Sequence, residues 1–132
     1  MGKVVEILKE KKFERLSASL RSDGLVKVSV DGNFEIDVPH VKIIVDTLEE
    51  FGEGKKFPLL IVVGEYTLPT PEARAYIATA ESDPFASAEA YVVKSLSQKL
   101  VGNVFLSFNQ PARPTKMFND EEKAIEWLNT FL

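Results

Sequence analysis

Phe57-Pro58-Leu59-Leu60-Ile61-Val62-Val63-Gly64-Glu65-Tyr66-Thr67-Leu68-Pro69-Thr70-Pro71-Glu72-Ala73-Arg74 decides the fold. Its first seven residues are apolar or Pro, too few for a long helix and rich in β-branched side chains. They read as a central strand buried on both faces. A proline-punctuated turn then leads into a helix start, with Thr70 as cap, Pro71 at the first helical position and Glu72 behind it. In open α/β sheets, ligands and partners gather at the carboxyl ends of such strands. The turn is therefore the first place to look for a site.

Downstream, the helix begun at Pro71 runs to about Ala80 with Ala73, Tyr76, Ile77 and Ala80 facing inward, and Ser82-Asp83-Pro84 breaks it. Ala88 to Lys94 reads as a second central strand. Ser95-Leu96-Ser97-Gln98 fits a capping box. The helix it opens, Leu96 to Phe108, carries Leu100, Val101, Val104, Phe105 and Phe108 as one core-facing stripe. Leu106 falls on the opposite arc, either as a lone exposed leucine or as part of a dimer contact or apolar ligand groove. Asn109 to Pro114 is a loop and Thr115 to Phe118 a short strand. Asn119 with Glu122 makes another capping box, opening a helix that buries Ala124, Ile125, Trp127, Leu128, Phe131 and Leu132.

Upstream, Asp37 caps a helix with Pro39 in its first turn and Val41, Ile44, Val45, Leu48 and Phe51 at helical spacing; Gly52 and Gly54 end it. Before it, Leu16, Ala18 and Leu20 alternate with polar residues, Ser22-Asp23-Gly24 turns the chain, and Val26, Val28 and Val30 resume the alternation. This is an antiparallel hairpin. Residues 1–12 form a charged lead-in, either a short strand or one helical turn around Val4–Leu8. The expected architecture is a single-domain α/β sandwich. It has a mixed, mostly parallel sheet of four to five strands with an N-terminal antiparallel hairpin, packed by about four helices.

The 132 residues, with 45% hydrophobic and 27% charged content, are those of an ordinary globular domain. A net charge of −4 and a pI near 5.1 argue against nucleic acid as partner. The absence of cysteine removes disulfide and thiolate chemistry. The start lacks the apolar core of a signal peptide, and Gly2 is followed by Glu6 where a myristoylation motif needs Ser or Thr. No apolar run approaches the ~20 residues of a membrane span. A cytoplasmic protein without membrane insertion is expected.

The C-terminal half resembles small bacterial proteins of the SpoIIAA-like group, relatives of STAS and CRAL-TRIO domains. The likeness is carried by Val92-Val93-Lys94-Ser95, Leu100-Val101-Gly102-Asn103-Val104-Phe105-Leu106, Pro114-Thr115-Lys116-Met117-Phe118 and Glu121 through Leu128, and more loosely by Glu72 to Tyr76. It spans roughly residues 13 to 132 in order. The resemblance implies a SpoIIAA-like (STAS-like) fold. STAS-type anti-sigma-factor antagonists carry a phosphorylatable Ser or Thr where the strand-following loop meets the next helix. The corresponding position here is about Thr70, with Thr67 nearby and Glu72 and Arg74 as further partner contacts. A phosphate there gains from the helix dipole and free N–H groups. The family's loop reads Asp-Ser-Ser or Asp-Ser-Thr and then Gly, whereas this one reads Leu68-Pro69-Thr70-Pro71. Without that Asp and Gly, Thr70 is better read as a plain helix cap.

The remaining residues favour no enzyme. His40 is the sole histidine, so a His-based metal cluster is excluded and no nucleophile motif accompanies it. Gly52-Glu53-Gly54-Lys55-Lys56 lies between helix and strand, the wrong order for a phosphate loop. Glu49-Glu50 and Glu121-Glu122 sit on solvated helix faces, and Arg74 and Arg113 read as surface ion-pairing residues. The expectation is a non-enzymatic module with no metal or cofactor that works by contact with a protein partner, including as a homodimer. The alternative, from the CRAL-TRIO kinship, is a carrier or sensor of a small apolar, lipid-like ligand. Leu106, Phe105 and Phe108 are the candidate ligand or interface residues, and in an interaction module Phe105, Phe108, Trp127 and Phe131 should fill the interior solidly. A carrier should keep a cavity between the Leu96–Phe108 helix, the last helix and the sheet.

Overall fold

A computed structural model describes residues 4–79, 81, 82 and 84–132. Strand β1 (Ile7–Lys12) pairs antiparallel with β2 (Leu16–Arg21), which forms the expected hairpin with β3 (Val26–Val30). β4 (Glu35–Ile36) leads into helix α1 (Val38–Gly52). β5 (Phe57–Val63) and β6 (Leu68–Pro69) precede α2 (Pro71–Ala78), then come β7 (Ala86–Val92) and α3 (Leu96–Val104). A π-helical turn (Phe105–Asn109), β8 (Thr115–Phe118), α4 (Glu121–Leu128) and a 3₁₀ turn (Asn129–Phe131) complete the chain.

The main sheet runs β1-β2-β3-β5-β7-β8, antiparallel through the first three strands and parallel from β3 onward; β4 and β6 pair separately, in parallel. Its six strands exceed the four to five expected because the lead-in residues 7–12 are a strand. β1 is exposed throughout, and Lys9, Lys11 and Lys12 protect its open edge from further pairing.

Strand alternation sends side chains to two cores. Leu59, Ile61 and Val63 of β5 meet Val28, Val30, Leu48 and Phe51 on the face that α1 covers. Leu60 joins Leu25, Ala88, Ala90, Ala124 and Leu128 on the face that α4 covers. α2 packs between α1 and the π turn. Phe105 reaches the first face, its ring 6.2 Å from Tyr91 edge to face. A cavity bounded by both α3 and α4, the mark of a carrier, is not formed, because the two helices cover opposite faces.

Several boundaries and faces differ from the sequence reading. α2 ends at Ala78, with Thr79 as its C-cap; Ala80, assigned to its inward face, and Asp83 of the proposed breaker lie outside the described residues. Asp120, rather than Asn119, caps α4, accepting from the Glu122 N–H at 2.8 Å. Leu132 is exposed. The largest change concerns α3. Its inward face is Gln98, Gly102 and then Phe105, while Leu96, Leu100, Val104 and Phe108 are 72, 57, 48 and 81% exposed. The predicted core stripe is turned largely toward water, with Phe105 buried and Val101 half-buried; Leu106, placed on the opposite arc, is half-buried.

Candidate functional site

The loops that follow β3 and β5 are built on one plan. Register runs at a constant offset of 33 residues, from Val26 opposite Leu59 and Val30 opposite Val63 to Glu35 opposite Leu68. Asn33 and Tyr66, also 33 apart, both adopt left-handed backbone, with φ of 60° and 67°. Asp37 and Thr70, again 33 apart, cap α1 and α2. Sequence comparison misses this repeat because the two segments share geometry and few side chains. The loops touch through glycine: a Cβ on Gly64 would overlap the Gly32 nitrogen. The Asn33 N–H donates to the Glu65 carbonyl at 2.9 Å.

Thr67 is buried, its hydroxyl donating to the Asp31 carbonyl at 2.5 Å. A phospho-acceptor must be reached by a kinase, so burial removes Thr67 from that role. Thr70 is half-buried; its hydroxyl accepts from the Ala73 N–H at 3.0 Å and donates to the Asp37 carboxylate at 3.1 Å. Glu72 is exposed in the first turn of α2. Arg74 is half-buried and donates to the Pro69 carbonyl at 3.2 Å. His40 completes the capping box of α1, its Nδ1 accepting from the Asp37 N–H at 2.9 Å.

Gln98 holds α3 to these loops. Its amide nitrogen donates to the Gly64 and Thr67 carbonyls at 2.7 and 2.9 Å. Its oxygen accepts from the Lys94 and Ser95 N–H groups at 2.9 and 3.0 Å. With Gln98 turned inward and Gly102 letting the Met117 side chain approach within 3.1 Å of a Cβ position, the face opposite them points to solvent. Beneath this junction lies an apolar cavity of about 70 Å³, bordered by Val63, Leu68, Arg74, Tyr91, Val101 and Phe105.

A second polar cluster escaped the sequence reading. Arg113, expected at the surface, has its side chain only 7% exposed and pairs with the buried Glu89 carboxylate at 2.5 Å. Its guanidinium also donates to the Ile77 and Thr79 carbonyls at 2.9 and 2.6 Å. The Tyr91 hydroxyl donates to the other Glu89 oxygen at 3.1 Å. Burial raises the Glu89 pKa above the ordinary 4.5, and the Arg113 charge and hydrogen bonds oppose that rise. The signal in the sequence was one carboxylate inside an otherwise uncharged strand, Ala86–Val92, which demands a cation. The cluster ties the 109–114 loop to the end of α2.

Among the described residues, no cluster of His, Cys, Asp or Glu is arranged to hold a metal ion, and no helix is long and apolar enough to cross a membrane. A family model described as a domain of unknown function, DUF7793, matches residues 19–132. No curated protein matches the chain. A solved structure similar to it is an uncharacterized protein of the DUF3478 family with a SpoIIAA-like fold, from Shewanella loihica PV-4. The two are 15% identical and superpose with a TM-score of 0.53 over 97% of this chain and 98% of that one. At this identity the likeness is one of fold, and the fold of this chain is SpoIIAA-like.

Proposed function

The chain belongs to the DUF7793 family, and on that premise we propose that it is a non-enzymatic, cytoplasmic regulatory module acting by protein–protein contact, as anti-sigma-factor antagonists do. One observation carries the reading: α3 turns Leu96, Leu100 and Val104, with Phe108 beyond them, outward along one row while a glutamine faces the interior. A contiguous exposed apolar row marks an interaction surface far more often than a solvated helix. The polar groups at the strand ends support the same reading, since Thr67, Thr70 and Gln98 commit their hydrogen bonds to holding loops and caps. Thr70 remains the modification point in this proposal: a phosphate there would break its bond to Asp37 and repel that carboxylate. Exposed Tyr66 on the adjoining loop extends the surface.

Site-specific photo-crosslinking in the host tests it. A photoreactive residue at position 100 should give discrete protein adducts, and one at Glu126 on α4 should give none. Equal labelling from both, or none from either, would remove the reading.

A second reading, a carrier or sensor of a small apolar ligand, is supported by the 70 Å³ cavity beside Arg74. That space is less than half the ~150 Å³ of a cavity that admits benzene, so it suits a few heavy atoms rather than a lipid chain.

A further inference from the structure

We infer that the outward row of α3 is where a second copy of this chain docks, forming a two-fold dimer through Leu96, Leu100, Val104 and Phe108. The inference rests on the interaction-module reading and names its partner. Leu96, Leu100 and Val104 are spaced four residues apart, so they form one i±4 ridge. Two such ridges interdigitate in the commonest helix-packing class, crossing at about −50°, and a ridge can meet its own copy this way across a two-fold axis.

Area supports it. At their observed exposures the four side chains present on the order of 500 Å² per copy, so a pair buries about 1,000 Å², where specific interfaces begin. Charge distinguishes this face from those of α1 and α4. The chain carries −4 overall, which opposes self-association, yet residues 94–119 contain no Asp or Glu. The exposed flanks of the ridge are Ser97, Lys99, Asn103 and Ser107. The acidic residues of α1 (Asp46, Glu49 and Glu50) and α4 (Glu121, Glu122 and Glu126) lie on other elements. Two copies meeting along the α3 ridge bring no helix carboxylate against another; the nearest exposed one, Glu65, lies on the adjoining 64–67 loop, at the edge of the row. An acidic partner has only Lys99 on the helix to recognise.

Sedimentation equilibrium of the purified full chain tests the inference, with folding of each variant checked by circular dichroism. The wild type should be dimeric at tens of micromolar, and Leu100→Asp should weaken association by about 100-fold or more. Val104→Thr, nearly isosteric, should weaken it by about tenfold, and Lys123→Asp on α4 should leave it unchanged. A wild type that stays monomeric at about 500 µM, with Leu100→Asp folded, overturns the second copy and leaves the interaction module standing. A dimer indifferent to both α3 substitutions also overturns it. A Leu100→Asp chain that fails to fold, with Val104→Thr destabilised as well, returns the row to the core and overturns both readings.

Discussion

The Thr70 hydroxyl donates to the Asp37 carboxylate at 3.1 Å, joining the N-cap of α2 to the N-cap of α1. The two helix starts are thereby held side by side above β3 and β5. Each cap also serves its own helix, Asp37 accepting from the Val38 N–H at 2.8 Å and Thr70 from the Ala73 N–H at 3.0 Å.

Thr70→Ala should therefore cost about 1 kcal/mol of stability in urea unfolding, the ordinary worth of a cap. Thr70→Glu should cost more, about 2 kcal/mol, because it sets a second carboxylate against Asp37. Asp37→Asn should recover part of the Thr70→Glu loss. A double variant whose losses simply add would mean that the two caps act independently.

Arg113 neutralises a carboxylate that has no access to water. Arg113→Met should cost about 3–5 kcal/mol, since it strands Glu89. The pH dependence has a definite sign. With its pKa raised in the folded state, Glu89 binds more proton folded than unfolded between pH 4.5 and its folded value. Its contribution is complete below pH 4.5 and is lost as pH rises through the folded pKa. Glu89→Gln should flatten that fall in a series of unfolding curves. An identical pH slope in the variant would show that Glu89 does not titrate in the folded protein.

The cavity beside Arg74 makes the carrier reading testable. A C18 fatty acid in excess should leave Tm unchanged, because a chain of that length exceeds a 70 Å³ space. A clear rise in Tm would show that α3 moves aside to admit it, and would promote the carrier over the interaction module.

Local chemistry made most of the fold legible. The run 57–63 reads as a buried central strand because nothing else suits seven apolar residues with Pro and β-branched side chains, and it is one. Asp37, Thr70 and Ser95 cap helices as their positions foretold. The facing of α3 was not legible, because helical periodicity groups Leu100, Val104 and Phe108 without saying which way the group points. That choice is made by distant partners, Gln98 reaching the carbonyls of residues 64 and 67 and Gly102 admitting Met117. Arg113 was misread for the same reason: its partner lies 24 residues away on β7. Ile7–Lys12 shows no clean alternation, since an exposed edge strand needs none.

The most direct test of the account is the stability of Leu100→Asp at a dilution where the chain is monomeric. With Leu100 facing water, its unfolding free energy should match that of the wild type within about 0.5 kcal/mol. A loss of about 3 kcal/mol or more, as expected for a leucine removed from a core, would contradict it and place the α3 row inside the protein.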